Sequence, residues 1–267
     1  MKNILVEQHI INSAFLEREV TIDAYLPVDV PHPENMGLLL INDGQDLPRM
    51  PFDEILDDLI TGNIIEPIVC IGIYCGPDRK MEYGTAKEAD YKGRGARAGL
   101  YTQFVFEELL PFIHQTYNVE TFKSTSFAGF SLGGLSALDI VWNSPQLFSK
   151  VGVFSGSLWW RSRDYDDGYD ENTDRIMHCQ VREGNYYPQL SFFFECGALD
   201  ETEDRNKNGI IDSIDDTLDL IKELKILGYP DDSIRYMELE DGKHDVPTWA
   251  RAFPVFLQWG WPVKAGL

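Results

Sequence analysis

The feature of this sequence that most limits its fold is a series of short, unbroken apolar runs separated by amphipathic segments. The runs occupy residues 37–41, 67–74, 126–130, 151–155, 190–196 and 234–239. Runs of this length are typical of strands that are buried on both faces, as in a parallel sheet. Apolar residues recur at helical spacing in the intervening segments 52–61, 101–117, 135–143, 215–227 and 249–261. The alternation predicts right-handed βαβ crossovers and an α/β fold, with helices on both faces of a mostly parallel sheet.

The N-terminal part of the chain follows a different pattern. Residues 4–11 and 19–26 alternate between apolar and polar side chains, which predicts an antiparallel hairpin at a solvated edge of the sheet. The whole chain has 267 residues and contains no internal repeat or linker. This length suits one α/β domain, so we expect a single unit over residues 1–267.

Charge and hydropathy exclude several classes of function. The chain has 44 acidic and 23 basic residues, a net charge of −21, which repels nucleic acids and anionic membrane surfaces. No apolar stretch reaches the roughly 18 residues of a membrane helix. Glu7 and His9 interrupt any N-terminal secretory core, so we expect a cytoplasmic protein. Its four cysteines are expected to be unpaired thiols, although Cys179 and Cys196 remain one conceivable pair.

A strand-turn-helix segment in the middle of the chain contains the pattern G-x-S-x-G. Gly129, Ser131 and Gly133 lie between an apolar strand and an amphipathic helix. This is the setting of a nucleophile elbow, a turn so tight that the residues two positions from the serine must lack side chains. The backbone N–H groups of Leu132 and of Gln45, in the loop after the third strand, are the candidates for an oxyanion hole. The sequence therefore predicts a catalytic Ser131, against the simpler alternative of a glycine-rich β–α turn.

A serine nucleophile needs a base and an acid, which in α/β-hydrolases follow it in the order serine, acid, histidine. Of the five histidines, only His244 lies after the loop that follows the strand 190–196. That loop carries Asp200 and Glu201, and either carboxylate is able to orient the imidazole. We favour Asp200 as the acid and leave Glu201 as the alternative.

Together these segments resemble the putative-esterase family of α/β-hydrolases, which includes enterochelin esterases, feruloyl esterases, esterases of the D type and mycolyltransferases. The matching pieces are LLLINDGQ, DRKME, YTQFVFEELLPFIHQTYN, AGFSLGG, VFSGSLWW, ECGALD and GKHDVPTW, and they run nearly the length of the chain. The resemblance implies a triad of Ser131, Asp200 and His244, with Gln45 and Leu132 at the oxyanion positions. In this family a helix usually follows the acid quickly, whereas here about a dozen extra residues intervene.

The extra residues contain a motif of their own. Residues 204–215, DRNKNGIIDSID, match the calcium-loop pattern D-x-[DN]-x-[DN]-G, with Asp in place of Glu at the last position. This insertion at 201–216 resembles the calcium loops of EF-hand and dockerin modules, and the alternative is an acidic turn. The predicted ligands of one structural Ca²⁺ are the side chains of Asp204, Asn206, Asn208, Asp212 and Asp215 and the carbonyl oxygen of Ile210.

These observations predict a serine carboxylic-ester hydrolase that forms a covalent acyl-enzyme, needs no cofactor for catalysis and acts on a small carbohydrate or aryl ester. The alternatives are an acyltransferase to a sugar or alcohol, a siderophore esterase, and a non-catalytic binding protein on the same fold. Trp159, Trp160 and Arg79 are candidates for substrate binding, although the tryptophans are equally compatible with core packing. The oligomeric state is not indicated by the sequence.

Overall fold

A single eight-stranded sheet runs through the computed structural model, which describes residues 3–28, 30 and 33–263. The outermost residues of the predicted unit 1–267 therefore lie outside the described residues. The strands are β1 (Ile4–Ser13), β2 (Arg18–Pro27), β3 (Gly37–Asn42), β4 (Ile68–Ile73), β5 (Ser124–Phe130), β6 (Lys150–Phe154), β7 (Ser191–Leu199) and β8 (Ile234–Lys243).

The order of the strands confirms the predicted fold class. Their spatial order is β1-β2-β4-β3-β5-β6-β7-β8. The pairs β1–β2 and β2–β4 are antiparallel, and the remaining pairs are parallel. The protein is therefore an α/β protein with an N-terminal antiparallel hairpin, as the two patterns of hydropathy predict.

The helices of the described residues follow the predicted segments with three short additions. They are α1 (Phe52–Thr61), α2 (Arg79–Glu82), α3 (Ala98–Gln103), α4 (Leu110–Tyr117), α5 (Leu132–Asn143), α6 (Glu171–Asp174), α7 (Ile176–Arg182), α8 (Asp212–Ile226) and α9 (Val246–Gly260). A π-helical segment, Phe104–Leu109, joins α3 to α4, so the predicted helix 101–117 is continuous. The additions are α2, α6 and α7, whose four, four and seven residues are too few to show a helical period within polar stretches.

Two hydrophobic layers hold the sheet between the helices. Apolar side chains of α1 and α9 pack on one face, while α4, α5, α7 and α8 and the π-helical segment cover the other. All residues of β3 and β4 are buried, which explains their unbroken apolar sequences. Because the carboxyl ends of the parallel strands meet at one edge of the sheet, the loops after β3, β5, β6, β7 and β8 lie close together.

The last two strands, β7 and β8, change register near that edge. Gly197 pairs with Leu239, whereas Leu199 pairs with Lys243, so a step of two residues along β7 matches a step of four along β8. A Cβ atom on Gly197 would lie 2.5 Å from the backbone of β8, so the close approach requires glycine. Such irregularities re-aim the residues that follow them, and here they bring the ends of both strands to adjacent positions.

Among the residues that the structure describes, no helix is both long enough and apolar enough to cross a membrane. The four cysteines are free thiols, and Cys70 and Cys196 are buried.

Candidate active site

Ser131 occupies the tight turn between β5 and α5. Its backbone has φ 55° and ψ −122°, a region that residues with a Cβ atom rarely adopt. Crowding explains the two glycines, because a Cβ atom would lie 2.3 Å from the Gly133 oxygen if placed on Gly129, and 2.6 Å from Asp43 Oδ2 if placed on Gly133. Leu132 begins α5, so the first N–H groups of this helix face the half-buried serine.

The loop after β3 meets this turn because β3 and β5 are adjacent and parallel. Asn42 Nδ2 donates a hydrogen bond to the backbone oxygen of Gly133 at 2.8 Å. Gln45 lies in a short 3₁₀ helix after β3, and its Oε1 accepts a hydrogen bond from the Cys75 backbone N–H at 3.1 Å. These bonds hold the loop that carries Gln45 between the Ser131 turn and the end of β4.

Arg79 lies at the same edge of the sheet, and a carboxylate engages its guanidinium. Its Nε and Nη2 donate to Asp43 Oδ1 and Oδ2, both at 2.7 Å, and Nη2 also donates to the Phe130 oxygen at 3.3 Å. This bidentate pair raises the pKa of Arg79 against the effect of burial. The geometry gives Arg79 a role in fixing the Ser131 turn, beside the predicted role in substrate binding. Its charge also lowers the pKa of His244.

The parallel pairing of β7 and β8 brings Asp200 and His244 together. Asp200 follows β7 and His244 follows β8, directly after the paired residues Leu199 and Lys243. Asp200 Oδ2 accepts a hydrogen bond from the Gly197 N–H at 3.2 Å. The two side chains are close enough that each shifts the pKa of the other toward its charged form.

Glu201, the alternative acid, is turned away from the imidazole. Its Oε1 accepts a hydrogen bond from the Ser213 backbone N–H at 2.5 Å, at the start of α8. Burial raises the pKa of Glu201 to about 7. The carboxylates that act on the pKa of His244 belong instead to Asp200 and Asp245. The geometry favours Asp200.

The electrostatic setting suits a neutral base. Desolvation lowers the pKa of His244, and Arg79 adds to this effect, while Asp200 and Asp245 oppose it. Burial raises the pKa of Asp200, against the hydroxyl of Ser155, the Gly197 N–H and His244. A histidine with a lowered pKa is uncharged at neutral pH and is able to accept a proton.

Three polar residues near Ser131, Asp200 and His244 were missed by the sequence reasoning. Ser157 Oγ lies 3.5 Å from Ser131 Oγ. Ser155 is buried and accepts a hydrogen bond from Trp249 Nε1 at 2.9 Å. Glu195, in β7, is fully buried, and neither of its carboxyl oxygens has a hydrogen-bond partner among the described residues. Both serines belong to the segment directly after β6, so their position at a strand end beside β5 was the available signal.

The two predicted substrate-binding tryptophans differ in accessibility. Trp160 is fully buried, and its Nε1 donates to Thr85 Oγ1 at 3.1 Å, so the ring belongs to the core. Trp159 is half-buried, with the Arg94 guanidinium 4.9 Å from the centre of its ring. Of the two, only Trp159 has surface that a substrate can contact.

The predicted calcium loop folds into a compact turn in which polar side chains converge. Asp204 accepts hydrogen bonds from the backbone N–H groups of Asn208 and Gly209 at 3.0 and 2.9 Å. The amide groups of Asn206 and Asn208 donate to Asp215 at 2.7 and 3.1 Å, on the same side of the loop. Gly209 has φ +86°, which a residue with a side chain adopts at a cost.

One predicted ligand of this loop is turned elsewhere. Asp212 Oδ1 accepts from the backbone N–H of Arg205 at 2.9 Å and lies 3.4 Å from its guanidinium, which also pairs with Glu171 and Asp216. The convergent side chains are two carboxylates and two amides. Within the described ranges, no group of three or more His, Cys, Asp or Glu side chains is arranged to hold a metal ion. The two amides direct their N–H groups at Asp215, while their oxygens accept hydrogen bonds from the backbone N–H groups of Asn208 and Ile210.

Solved structures with the same fold include several esterases. A ferulic acid esterase superposes with a TM-score of 0.72 at 17% sequence identity, covering 97% of this chain and 98% of that one. The siderophore hydrolase EstB from Aspergillus nidulans has a TM-score of 0.70 at 17% identity, covering 98% and 97%. The enterochelin esterase from Shigella flexneri has a TM-score of 0.72 at 21% identity, covering 97% of this chain and 59% of that chain.

Sequence comparison gives a match over most of the chain. The uncharacterized protein YbbA of Bacillus subtilis is 27% identical over 118 residues, which are 41% of this chain and 45% of that relative. The family model described as "Putative esterase" matches residues 13–259. This range includes every strand from β2 to β8 and all the predicted catalytic residues. The chain therefore belongs to the putative esterase family of carboxylic ester hydrolases.

Proposed function

We propose that the protein hydrolyses carboxylic esters through a covalent acyl-enzyme on Ser131. His244 takes the proton of the Ser131 hydroxyl as the oxygen attacks the ester carbonyl carbon, and Asp200 stabilises the resulting imidazolium. The backbone N–H groups of Leu132 and Gln45 bind the oxyanion. His244 then protonates the departing alcohol, and a water molecule, activated by the same histidine, releases the acid and frees Ser131.

One observation carries this proposal: the strained Ser131 turn and the Asp200–His244 pair occur at the carboxyl ends of β5, β7 and β8, on one edge of the sheet. Ser131 has a positive φ, a backbone conformation that glycine adopts without strain and serine does not. Strain of this kind is common at active sites, where the side chain must be presented in one direction.

The test is covalent labelling combined with a matched pair of serine variants. Ser131→Ala should lower turnover by a factor of about 10⁴ to 10⁶ and abolish labelling by a fluorophosphonate probe. Ser157→Ala removes the hydroxyl 3.5 Å away and serves as the control, for which we expect labelling to persist. Labelling at another residue, or full activity of Ser131→Ala, contradicts the assignment.

For the substrate, we propose an aryl or carbohydrate ester. The half-buried Trp159, with Arg94 over its ring, offers an aromatic surface near the end of β6. The similar structures include a ferulic acid esterase and an enterobactin esterase studied with 2,3-dihydroxy-N-benzoyl-serine, both connected with aromatic acids. A panel of acetyl, feruloyl, thioester and siderophore esters identifies the class. Product analysis with an added alcohol separates hydrolysis from acyl transfer.

We also propose that the loop 204–215 binds one structural Ca²⁺. The convergence of four side chains supports it, those of Asp204, Asn206, Asn208 and Asp215. If the two amide groups rotated to exchange their N and O atoms, these side chains would present four oxygen ligands, and the Ile210 carbonyl would be a fifth. A cation that binds only the folded state at a hundredfold excess over its Kd adds about 2.7 kcal/mol of stability. Isothermal titration with CaCl₂, compared between the wild type and Asp204→Ala, tests the site independently of activity. Equal heats for both proteins leave the loop an acidic turn.

A further inference from the structure

Ser155 has an unusual backbone conformation for a buried serine. It directly follows β6, is 2% exposed and has φ +46°, and its N–H donates to the Glu195 backbone oxygen at 2.8 Å. Glycine adopts a positive φ without strain, whereas any residue with a Cβ atom does not. The backbone conformation alone therefore favours glycine at this position, so the presence of serine points to a role for its hydroxyl group.

The hydrogen-bond capacity of that hydroxyl is only partly used. Trp249 Nε1 lies 2.9 Å from Ser155 Oγ, and an indole N–H is only a donor, so the serine oxygen is the acceptor. The hydroxyl hydrogen of Ser155 is then available to a second group. Asp200 Oδ1 is a buried oxygen without a partner in ordinary hydrogen-bond geometry among the described residues. The Ser155 hydroxyl is nevertheless close enough to lower the pKa of Asp200.

Trp249 also contacts His244 and Phe130, the residue before Ser131. Its ring meets the imidazole of His244 edge-on, with centroids 5.5 Å apart and planes at 79°. It stacks on Phe130, the residue before Ser131, at 5.0 Å and 24°. Trp249 stands in the first turn of α9, where Asp245 Oδ1 accepts from the Thr248 N–H at 3.0 Å and caps the helix.

We propose that Ser155 and Trp249 are positioning residues for the triad acid, with the Trp249 indole N–H orienting the Ser155 hydroxyl, which donates to Asp200 Oδ1. This proposal rests on the proposed function of Asp200. The Ser155 hydroxyl holds the Asp200 carboxylate in the orientation that faces His244, and the Trp249 ring limits rotation of the imidazole. The titratable groups that face Asp200 are His244, Asp245, Glu195 and Cys196.

The test compares two substitutions that remove the same hydroxyl but treat the backbone differently. Ser155→Gly relieves the positive φ, and Ser155→Ala keeps the strain. We expect both to lower kcat for an aryl acetate about 10- to 100-fold, the range for loss of a hydrogen bond to a charged group. Ser155→Gly should melt at a higher temperature than Ser155→Ala, because both variants lose the acceptor of the Trp249 N–H and only glycine relieves the positive φ. The acid limb of kcat/KM reports protonation of the Asp200–His244 pair, and it should move to higher pH in both variants because loss of the hydroxyl donor makes Asp200 easier to protonate.

Trp249→Phe keeps an aromatic ring, although a smaller one, and removes the N–H donor. We expect a smaller loss of kcat and the same direction of change in the pH profile. Trp259→Phe is the matched control, since this tryptophan lies in the same helix and packs on Phe193 and Phe256 away from the triad. Its kcat and pH profile should be unchanged.

The outcomes separate this inference from the proposed function. If a fluorophosphonate labels Ser131 and Asp200→Asn is inactive, but Ser155→Gly keeps the wild-type kcat and acid limb, the positioning role is refuted. If Ser155→Gly is fully active and only Ser155→Ala is impaired, backbone strain explains the effect and the hydroxyl does not. If the wild-type Ser131 is not labelled, the proposed function itself fails.

Discussion

Replacement of the buried Glu195 by glutamine should stabilise the protein at alkaline pH and leave its stability unchanged at acidic pH. Glu195 is fully buried in β7, and neither carboxyl oxygen has a hydrogen-bond partner among the described residues. Burial raises its pKa to about 8, and the nearby charge of Asp200 adds to this effect. The backbone N–H of Ser155 and the exposed Arg251 oppose the rise.

The expected size follows from the two pKa values. An exposed glutamate has a pKa near 4.5, so between pH 4.5 and 8 the unfolded chain releases a proton that the folded protein retains. Stability therefore falls as pH rises through this window. The difference in proton affinity corresponds to about 5 kcal/mol, and relaxation around the charge reduces the realistic loss to about 2 to 5 kcal/mol. Glutamine has the same shape as protonated glutamic acid and cannot ionise, so Glu195→Gln lacks this loss.

Urea unfolding of the wild type and Glu195→Gln at pH 5, 7 and 9 measures the effect. The two proteins should have nearly equal free energies of unfolding at pH 5, and the variant should be the more stable by the full amount at pH 9. Glu240→Gln, which changes an exposed glutamate of β8, is the control and should show no such divergence. A difference between wild type and Glu195→Gln that is the same at pH 5 and pH 9 would refute the reasoning.

Three further outcomes are expected. Asp200→Asn should lower kcat about 10³- to 10⁴-fold. Glu201→Gln should keep most of the activity, because the Glu201 carboxylate faces Ser213. Steady-state hydrolysis of an aryl ester measures both variants, and the opposite order would assign the role of the acid to Glu201. Because desolvation lowers the pKa of His244, the acid limb of kcat/KM should lie below the ordinary histidine value of about 6.5, and a rate that stays flat down to about pH 4 contradicts a histidine base. EDTA should lower the Tm of the wild type, and calcium should restore it, but neither should change the Tm of Asp204→Ala.

The large elements of the fold could be predicted because they depend on local patterns. Each predicted strand corresponds to an observed one, since burial on both faces leaves no room for polar residues in strands such as β3 and β4. The helix after Ser131 begins three residues earlier than its apolar spacing indicates, at Leu132. Gly133 and Gly134 weaken the helical signal in that first turn, although close packing requires them.

The polar arrangement around the site could not be predicted, because it depends on contacts between distant parts of the chain. Asp43 and Arg79 are 36 residues apart, and nothing local shows that their charges are paired. Glu195 stands in an apolar strand sequence, but the sequence does not show that its carboxyl group lacks a partner. Likewise, Trp159 and Trp160 are adjacent and have the same hydropathy, but Trp160 belongs to the core and Trp159 reaches the surface.

Because of the register change between β7 and β8, the position of His244 relative to Asp200 depends on the number of residues in the last part of β8. Residues 240–242 lie between the two positions of β8 that pair with Gly197 and Leu199, so their number determines where His244 stands relative to Asp200. We expect that the loss of one residue from 240–242 would remove the irregularity and displace the imidazole from Asp200. Substitutions that keep the length of this segment leave that spacing unchanged.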